Sequence, residues 1–468
     1  MTSYAKSLAE GARIEQAKRE LSRRHFPDFV NYINEGYTMK WFHRVIAEKC
    51  QLVLDGKIKK LMIFVPPQHG KSELATRNFP AFALGKNPNL KIGIISYSAS
   101  IAEKLGKAVQ RRVESSYFKN IFPEKIISNG RDDLKKTNGY FETSGGGYCV
   151  SVGVDGPLTS MAIDLGIIDD PIKDRKEAKS LTIRQNVYEY YVDVFSTRLH
   201  NNSSQILIQT RWDEDDLAGR LLRDDGIFSE SNPQGWTVVK FPAIKENDIN
   251  KYDPRSEGEA LWPEKHSLEK ILSAKKKSLI TFNSLYQQDP KPDKESLIYD
   301  WAEIDVFPED AEIIFSGGDF GYSNDPTAVV RIAKIGKKLI FDEIIYEAGL
   351  TNPMIASKLK DYTGRTGEFY FDSAEPKSCQ ELRNLGIKVI DAVKGADSVR
   401  TGILKLQEYE CFYTSRSINI KREVSKYEWI VVGGKKTNIP IDNYNHTLDA
   451  IRYAIYTKYS KPRKLITG

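Results

Sequence analysis

Residues 61–72 (LMIFVPPQHGKS) constrain the fold of this chain more than any other stretch. An apolar run of strand-forming residues ends at Val65, a short loop closes on Gly70, Lys71 and Ser72, and the following residues can begin a helix. A strand, a glycine-containing loop and a helix N-terminus cradle phosphate groups, because backbone N–H groups then point at the anion. In that arrangement Lys71 reaches the β- and γ-phosphate oxygens, and the Ser72 hydroxyl binds Mg²⁺.

The loop departs from the usual phosphate-loop pattern, since Val65 stands where that pattern has its first glycine. An ordinary buried strand and turn is therefore an alternative interpretation of this stretch alone. Within the loop, we expect Gln68 and His69 to contact a nucleotide, although a lone histidine also fits a structural role. The aromatic residues 37–43 fit either a helix start held by core aromatics or a platform for an adenine base.

Residues 163–171 (IDLGIIDDP) place two adjacent carboxylates at the end of an apolar strand. The first of them, Asp169, lies 98 residues after Lys71. Asp169 can hold Mg²⁺ through water, and Asp170 can polarise the attacking water. Asp170 is shorter than the glutamate usual at this position by one carbon–carbon bond, about 1.5 Å. Acidic pairs are also common in turns. The distance between the phosphate loop and this acidic pair, with strand patterns in the interval, suits an ATPase that has an extra strand between its two motifs.

A further strand pattern over residues 204–210 ends at Thr210. A polar side chain at such a strand end can sense the γ-phosphate from a neighbouring strand, and a plain strand cap fits equally well. These motifs predict an ATPase motor domain with N-terminal helices over residues 1–235. Residues 236–300 are rich in proline and lose clear periodicity, so we expect a linker or hinge there.

Residues 301–468 are predicted to form a second domain. Three strand patterns come first, and helix and strand patterns then alternate as far as a closing helix at 444–455. The order β-β-β-α-β-α-β-α is that of an RNase H-like domain.

In that layout, Asp319 on the first strand, Asp372 at the end of the fourth and Asp449 on the last helix can converge. Three carboxylates around two Mg²⁺ or Mn²⁺ ions activate water and stabilise the leaving oxygen in phosphodiester cleavage. Each acid taken alone also fits an ordinary solvated residue. Lys394 is a candidate for a sequence-independent DNA contact near this site, and a plain solvated charge fits it as well.

Composition narrows the class of protein. In a chain of 468 residues, 40% are hydrophobic and 28% charged, which is typical of a globular protein. The 69 basic and 63 acidic residues leave a net charge of +6, a mild preference for anionic partners. The four cysteines are far apart, which argues against a disulfide framework or a structural zinc site. No apolar run approaches 18 residues and the charged N-terminal region does not suit a signal peptide, so we expect a soluble intracellular protein without a membrane partner.

Both halves together resemble the large subunit of tailed-bacteriophage terminases, the DNA-packaging ATPase-nucleases. The likeness extends over nearly the whole chain, and its most specific motifs are PPQHGKSE, GVDGPLT followed by GIIDDPIKD, ILIQTRWDEDDLAGR and NHTLDAIRYA. The resemblance implies an α/β fold class, with an N-terminal P-loop ATPase domain of the ASCE type followed by a C-terminal RNase H-like nuclease domain.

The same resemblance implies a viral DNA-packaging motor. ATP hydrolysis with Mg²⁺ would drive double-stranded DNA into a procapsid through its portal. An endonuclease with two divalent cations, Mg²⁺ or Mn²⁺, would cut concatemeric DNA when packaging starts and ends. The implied partners are double-stranded DNA, the portal protein of the procapsid, a small terminase subunit and identical copies in a ring. The implied location is the host cell cytoplasm, with transient docking on the portal.

Carried over residue by residue, the resemblance and the motifs give three sets of predicted site residues. The predicted cofactor-binding residues are Gln68, His69, Gly70, Lys71, Ser72, Asp169 and Thr210. The predicted catalytic residues are Asp170, Asp319, Asp372 and Asp449. The predicted metal ligands are Ser72, Asp169, Asp319, Asp372 and Asp449. In the family, Thr210 would couple hydrolysis to motion.

One departure from the family pattern concerns an arginine that many related sequences carry just before the second motif. Here that segment, residues 160–162, reads SMA. Because an arginine finger can raise the rate by orders of magnitude, another residue must serve if the motor is active. Arg111, Arg112 and Arg198 are the candidates for a finger that acts on a neighbouring subunit.

Three other classes compete with this interpretation. A cellular DNA helicase-nuclease shares the ATPase, but it needs a second RecA-like domain, and residues 225–300 are too short for one. A transposase or integrase explains the three acids but not the phosphate loop. An ATPase with a non-catalytic, DNA-binding RNase H-like domain is the remaining alternative, if the acids do not converge.

Overall fold

The computed structural model describes residues 3–123, 136–246, 250–290, 297–321, 325–395, 397–432 and 435–459. The chain divides into two compact units, Met1–Lys291 and Pro292–Gly468. Among the described residues, no helix is long and apolar enough to cross a membrane.

The described residues of the N-terminal unit form one eight-stranded sheet, in the order β3-β4-β5-β2-β6-β7-β1-β8. All neighbours from β5 to β8 are parallel, and β3 and β4 add an antiparallel edge. The strands are β1 (Lys60–Phe64), β2 (Lys91–Ser96), β3 (Lys136–Thr137), β4 (Tyr140–Glu142), β5 (Tyr148–Gly153), β6 (Ile163–Asp169), β7 (Leu199–Ile208) and β8 (Thr237–Lys240).

Helices cover both faces of this sheet. The helices among the described residues of this unit are α1 (Ser3–Arg24), α2 (Phe26–Ile33), α3 (Trp41–Leu54), α4 (Phe79–Lys86), α5 (Ala99–Glu114), α6 (Ser116–Ile121), α7 (Arg175–Lys179), α8 (Leu181–Glu189), α9 (Leu217–Asp225), α10 (Leu268–Lys277) and α11 (Leu279–Thr281). Residues of α2 to α6 share one hydrophobic core with the strands, and residues of α7 to α9 share the other. Shorter helical segments are π-helical at Glu73–Asn78, Tyr190–Phe195 and Phe282–Tyr286, and 3₁₀-helical at Ser196–Arg198.

Strand β1 is buried on both faces, which explains its continuous apolar run. Leu61, Ile63 and Val65 pack into one hydrophobic core, while Met62 and Phe64 pack into the core on the opposite face. Burial on both faces is the usual state of a central parallel strand between two helical layers. The strand therefore holds the following phosphate loop at a fixed position.

The strand order brings the predicted ATPase motifs to one edge of the sheet. Strand β7 lies between β1 and β6 and is parallel to both, with Ile208 opposite Ile63 on one side and opposite Asp169 on the other. The carboxyl ends of parallel strands meet at one edge, where ligands bind in open α/β sheets. The loop after β1, the end of β6 and the residues after β7 consequently meet there.

The region predicted as a linker, residues 236–300, is divided differently in the structure. Strand β8 pairs in parallel with β1, and Ala243 and Phe282 belong to a small hydrophobic core of their own. The boundary between the two units lies between Lys291 and Pro292. Proline-rich sequence without periodicity can therefore pack against a sheet edge, and most of this region belongs to the N-terminal unit. Residues 291–296 lie outside the described residues.

The described residues of the C-terminal unit form a seven-stranded sheet, in the order β14-β13-β10-β11-β12-β15-β9, and a separate hairpin of β16 and β17. The strands are β9 (Ala302–Ile304), β10 (Ile313–Asp319), β11 (Pro326–Ile335), β12 (Lys338–Ala348), β13 (Phe369–Phe371), β14 (Val389–Asp391), β15 (Glu410–Thr414), β16 (Trp429–Val432) and β17 (Lys435–Pro440). The helices are α12 (Asn352–Lys360), α13 (Thr363–Thr366), α14 (Pro376–Asn384), α15 (Ser398–Leu406), α16 (Ile418–Val424) and α17 (His446–Tyr459).

The order of strands and helices from β10 to α15 follows the predicted order. Strands β10, β11 and β12 are antiparallel neighbours, and β13 and β14 add in parallel beside β10. The sequence analysis did not predict β9, β15 or the hairpin. Strand β15 covers Glu410–Thr414. Its pairing partner β12 is distant in sequence, so the local pattern alone did not reveal it.

Helix α17 packs closely on β10 because of a glycine. A Cβ atom at Gly317 would collide with the carbonyl oxygen of Ala450, so only glycine permits this approach. Leu448, Ile451 and Ile455 of α17 are buried in one hydrophobic core with Phe315 of β10. The helix thereby carries Asp449 towards the end of β10.

Candidate functional sites

The loop predicted to bind phosphate contains two residues in the left-handed region of backbone conformation. Gln68 and Gly70 have positive φ angles of 60° and 83°. A Cβ atom at Gly70 would lie 2.9 Å from Nε2 of His43, so the loop requires glycine there for space as well as for conformation. The Leu74 N–H then donates to the Gly70 carbonyl oxygen at 3.0 Å, which begins the helix.

The structure places His69 with its imidazole facing the interior. The side chain is buried, its Nδ1 lies 2.9 Å from the Pro67 carbonyl oxygen, and its ring stacks on His266 at 4.5 Å between centroids. Burial lowers the pKa of His69 to about 3, so the imidazole is neutral at physiological pH. Any contact from His69 to a nucleotide therefore comes from its backbone. Nε2 of His43 lies 2.9 Å from the His69 carbonyl oxygen, so the 37–43 segment supports the loop from inside.

The side chains of Lys71, Asp170 and Thr210 contact one another. Lys71 Nζ lies 3.1 Å from the Asp170 carboxylate and also donates to the Thr210 hydroxyl. The Thr210 N–H donates to the same carboxylate at 2.7 Å. Asp170 itself has a φ of 46°, a conformation that is uncommon outside glycine and that orients its side chain towards the loop. Three residues predicted from separate motifs therefore form one cluster.

Asp169 is held by two hydroxyl groups of the helix that follows the loop. Ser72 Oγ donates to one carboxylate oxygen at 3.0 Å, and Thr76 Oγ1 donates to the other at 2.6 Å. Burial, and the neighbouring charge of Asp170, raise the pKa of Asp169 above its usual range. A buried carboxylate beside a serine hydroxyl is a suitable oxygen site for a hard divalent cation.

Of the three arginines considered as fingers, Arg112 is engaged within its own unit. Its guanidinium pairs with Glu73 and donates to Asn78 at 2.7 Å. An arginine held in this way cannot extend to a neighbouring subunit without losing these contacts. Arg111 and Arg198 are left as candidates.

In the C-terminal unit the three predicted acids lie on neighbouring elements. Asp319 ends β10, Asp372 directly follows the parallel neighbour β13, and Asp449 lies in the first turn of α17. The pKa of Asp319 is raised to about 6, mainly by burial; the hydrogen bond to His446 opposes this rise, and the charges of Asp449 and Asp372 contribute to it. This mutual influence indicates that the carboxylates share one electrostatic environment.

Each of these three acids lies next to a basic side chain of the same unit. Lys394 Nζ lies 2.5 Å from Asp372, and the Arg452 guanidinium lies 2.9 Å from Asp449. The third pair is weaker, with His446 Nδ1 at 3.4 Å from Asp319. Among the described residues, no group of three or more acidic, histidine or cysteine side chains converges closely enough to hold one metal ion. The donor set itself, carboxylate oxygens only, suits Mg²⁺ or Mn²⁺.

A buried glutamate, Glu423, fixes the N-terminus of the helix that carries Asp449. Its Oε2 accepts from the N–H groups of Thr447 and Leu448 at 2.8 and 3.3 Å and from the Thr447 hydroxyl, and Tyr346 donates to Oε1 at 3.1 Å. These N–H groups have no partner within the helix, and a negative charge is favourable at a helix N-terminus. Glu423 therefore sets where α17 begins.

We expect Glu423→Ala to lower the free energy of unfolding of the chain by about 3 kcal/mol, because it leaves several buried donors without a partner. Urea denaturation followed by circular dichroism measures this loss. Glu410→Ala, on the exposed first residue of β15, is the matched control and should change stability little. A Glu423→Ala protein as stable as the control would contradict the assigned role.

The sequence analysis missed Thr76, His446 and Glu423. Thr76 lies four residues after Ser72 and His446 three residues before Asp449, so helical spacing from a predicted ligand was a usable signal for both. Glu423 gave no such signal, since its partners lie more than twenty residues away in the chain.

Two family models match the chain. The model described as "Terminase large subunit, T4likevirus-type, N-terminal" matches residues 62–276, and the model described as "Terminase RNAseH like domain" matches residues 319–457. The chain belongs to the terminase large subunits. The predicted family and the predicted α/β fold class, an ATPase-type domain followed by an RNase H-like domain, are thereby confirmed.

Two curated relatives are similar over part of their length. The terminase large subunit of Bacillus phage SPP1 is 34% identical over 172 residues, which cover 34% of this chain and 39% of that protein. The PBSX phage terminase large subunit of Bacillus subtilis (strain 168) is 28% identical over 172 residues, 35% of this chain and 39% of that protein. The match thus spans about two fifths of each relative.

Solved structures of large terminases also align with the chain. The HK97 bacteriophage large terminase aligns over 90% of this chain and 95% of its own, at 12% identity and a TM-score of 0.48. The nuclease domain of the large terminase from bacteriophage SPP1, described with bound Mn, aligns over 35% of this chain and 98% of its own, at 24% identity and a TM-score of 0.32.

Proposed function

We propose that this terminase large subunit is the ATPase and nuclease of a viral DNA-packaging motor. ATP hydrolysis in the N-terminal unit drives double-stranded DNA into a procapsid, and the C-terminal unit cuts concatemeric DNA at the start and end of packaging. The observation that carries the proposal is the cluster of Lys71, Asp170 and Thr210, next to Ser72 and Asp169. The C-terminal unit adds three partly buried acids, two at the ends of neighbouring strands and one on the helix packed against them.

The N-terminal site is built to respond to the arrival of a nucleotide. The phosphates of ATP would compete with Asp170 and Thr210 for the Lys71 ammonium, which contacts both residues in the structure. Movement of Lys71 to the phosphates would free the Asp170 carboxylate to accept a proton from water. The same movement releases the Thr210 hydroxyl, which lies at the end of the strand between the two motifs. Thr210 is thus a direct link from the phosphates to the rest of the sheet.

Ser72 and Asp169 would hold the Mg²⁺ that accompanies ATP. This ion neutralises charge on the β- and γ-phosphate oxygens when it is bound. Thr76 keeps the Asp169 carboxylate in a fixed orientation through its short hydrogen bond. Gly70 and the N–H groups around it provide the rest of the anion cradle.

In the C-terminal unit, Asp319, Asp372 and Asp449 would hold two divalent cations, Mg²⁺ or Mn²⁺. Such ions activate water and stabilise the leaving oxygen of a phosphodiester. Asp319 and Asp372 are fixed by neighbouring strands and Asp449 by the helix that Glu423 caps. A site on rigid elements suits a reaction that needs accurate placement of two ions.

The partners follow from this proposal. Double-stranded DNA is contacted mainly through its phosphates, because a packaging motor must handle any sequence. The motor further requires the portal protein of the procapsid, a small terminase subunit and a ring of identical copies, and it acts in the host cytoplasm while docked on the portal.

The test is to measure ATP hydrolysis and supercoiled-plasmid cleavage in the same samples of the full chain, with Mg²⁺ or Mn²⁺. We expect both activities, and we expect metal removal by EDTA to stop both. ATP hydrolysis without any cleavage under these conditions would instead support an ATPase with a non-catalytic DNA-binding domain.

A further inference from the structure

The three acids of the C-terminal unit share one electrostatic environment, yet none of the described groups converges on a single metal position. The carboxylate groups of the three acids do not all point towards one position. Asp372 directs Oδ1 at the Lys394 ammonium, 2.5 Å away, and its Oδ2 accepts from the Tyr453 hydroxyl at 3.4 Å. An ammonium at hydrogen-bonding distance occupies the side of the oxygen on which a divalent cation would bind.

We propose that Lys394 is an internal counter-cation of Asp372, which a divalent cation must displace when it enters the nuclease site. This inference rests on the proposed nuclease function and assigns Lys394 as a positioning residue for metal loading. The Lys394 ammonium and a divalent cation that approach the same oxygen of Asp372 repel each other. Lys394 therefore weakens metal binding in the free protein and keeps the acids charge-balanced without metal.

Lys394 is the one of the three basic neighbours that is suited to leave. Its side chain is 40% exposed, and its ammonium lies 5.2 Å from the centre of the Tyr453 ring at the rim of the site. Lysine has a flexible stem and a strongly hydrated charge, so the ammonium can move into water at low cost.

Arg452 is held differently. Its side chain is only 5% exposed, and a Cβ atom on Gly402 would lie 2.5 Å from its Cγ, so α15 and α17 enclose the arginine. Arg452 is therefore a fixed neighbour of Asp449. His446, at 3.4 Å from Asp319, is a weaker partner. The exchange of one cation for another is consequently localised at Asp372.

The backbone next to Lys394 is anchored, so the exchange concerns the side chain alone. The Val393 N–H donates to Thr457 Oγ1 of α17 at 2.9 Å, which ties this segment to the helix that carries Asp449. Substitution of the Lys394 side chain should leave this contact intact.

The experiment measures Mn²⁺ binding to the full chain by electron paramagnetic resonance of free Mn²⁺, without nucleotide or DNA. All proteins carry Asp169→Asn, which removes a metal ligand of the ATPase site. Lys394→Met should bind Mn²⁺ roughly tenfold more tightly than the Asp169→Asn background. Lys394→Arg, which keeps a cation, should stay within about threefold of the background.

Lys388→Met is the matched control, because Lys388 is exposed and pairs with Glu368 outside the site. It should leave Mn²⁺ affinity unchanged. Equal or weaker Mn²⁺ binding by Lys394→Met, with circular dichroism like that of the background, overturns the proposal.

The Asp319→Asn variant distinguishes failure of the Lys394 proposal from failure of the proposed nuclease site. If the background binds Mn²⁺ and Asp319→Asn abolishes that binding, the result supports the nuclease metal site, whether or not Lys394→Met changes the Mn²⁺ affinity. If neither the background nor Lys394→Met binds Mn²⁺, the result contradicts both the proposed nuclease site and the proposed role of Lys394.

Discussion

We expect Lys71→Ala to lower steady-state ATP hydrolysis by at least about 10²-fold, with plasmid cleavage by the same protein unchanged. Lys71 is the one ammonium that contacts both Asp170 and Thr210, and a phosphate-bound lysine stabilises charge that develops on the transferred group. Alanine removes that charge and leaves the rest of the loop in place. Release of inorganic phosphate and conversion of supercoiled plasmid, followed in the same samples, measure the two activities.

Lys57→Ala is the control for this variant, because Lys57 is an exposed lysine of the same unit that lies before the loop. It should hydrolyse ATP at the wild-type rate. Near-normal hydrolysis by Lys71→Ala would show that another group neutralises the phosphates. The stretch 61–72 would then be an ordinary strand and turn.

The second large effect concerns the C-terminal unit. Asp449→Asn should lower metal-dependent plasmid cleavage by about 10³-fold and leave ATP hydrolysis unchanged, because it removes the charge of a proposed metal ligand without changing the shape of the side chain. The substitution also leaves Arg452 without its anionic partner, 2.9 Å away in the structure. Thermal unfolding should accompany the assay, so that loss of cleavage is distinguished from loss of fold.

The matched control is Asp310→Asn, at an exposed acid of the same unit that lies before β10. Cleavage by this variant should equal that of the wild type. If Asp449→Asn still cuts DNA at the wild-type rate, the nuclease assignment is wrong, and the C-terminal unit is better described as a DNA-binding domain.

The two sites share a physical feature. Lys71 pairs with Asp170 in one unit, and Lys394 pairs with Asp372 in the other. In each case a lysine of the chain balances a carboxylate that the proposed chemistry needs free. A carboxylate that is partly removed from water is stabilised by a nearby cation, and in both units a lysine of the chain provides that cation.

Much of the site could be predicted from the sequence because its signals are local. An apolar strand followed by a loop with Gly70, Lys71 and Ser72 identifies a phosphate cradle within twelve residues. Two acids after an apolar strand, and an acid on the closing helix, are local patterns as well. The order of strands and helices then indicated which of these motifs belong together in one unit.

The tertiary structure decided what depends on neighbours distant in the chain. That β7 lies between β1 and β6, that the His69 ring faces inward onto His266, and that Glu423 caps the helix of Asp449 all follow from strand order and packing. The pairing of Lys394 with Asp372 has the same origin, since it joins the segment after β14 to the segment after β13. Local sequence fixes which chemical groups a segment carries, whereas the close approach of two groups depends on the free energy of packing the whole sheet and its helices.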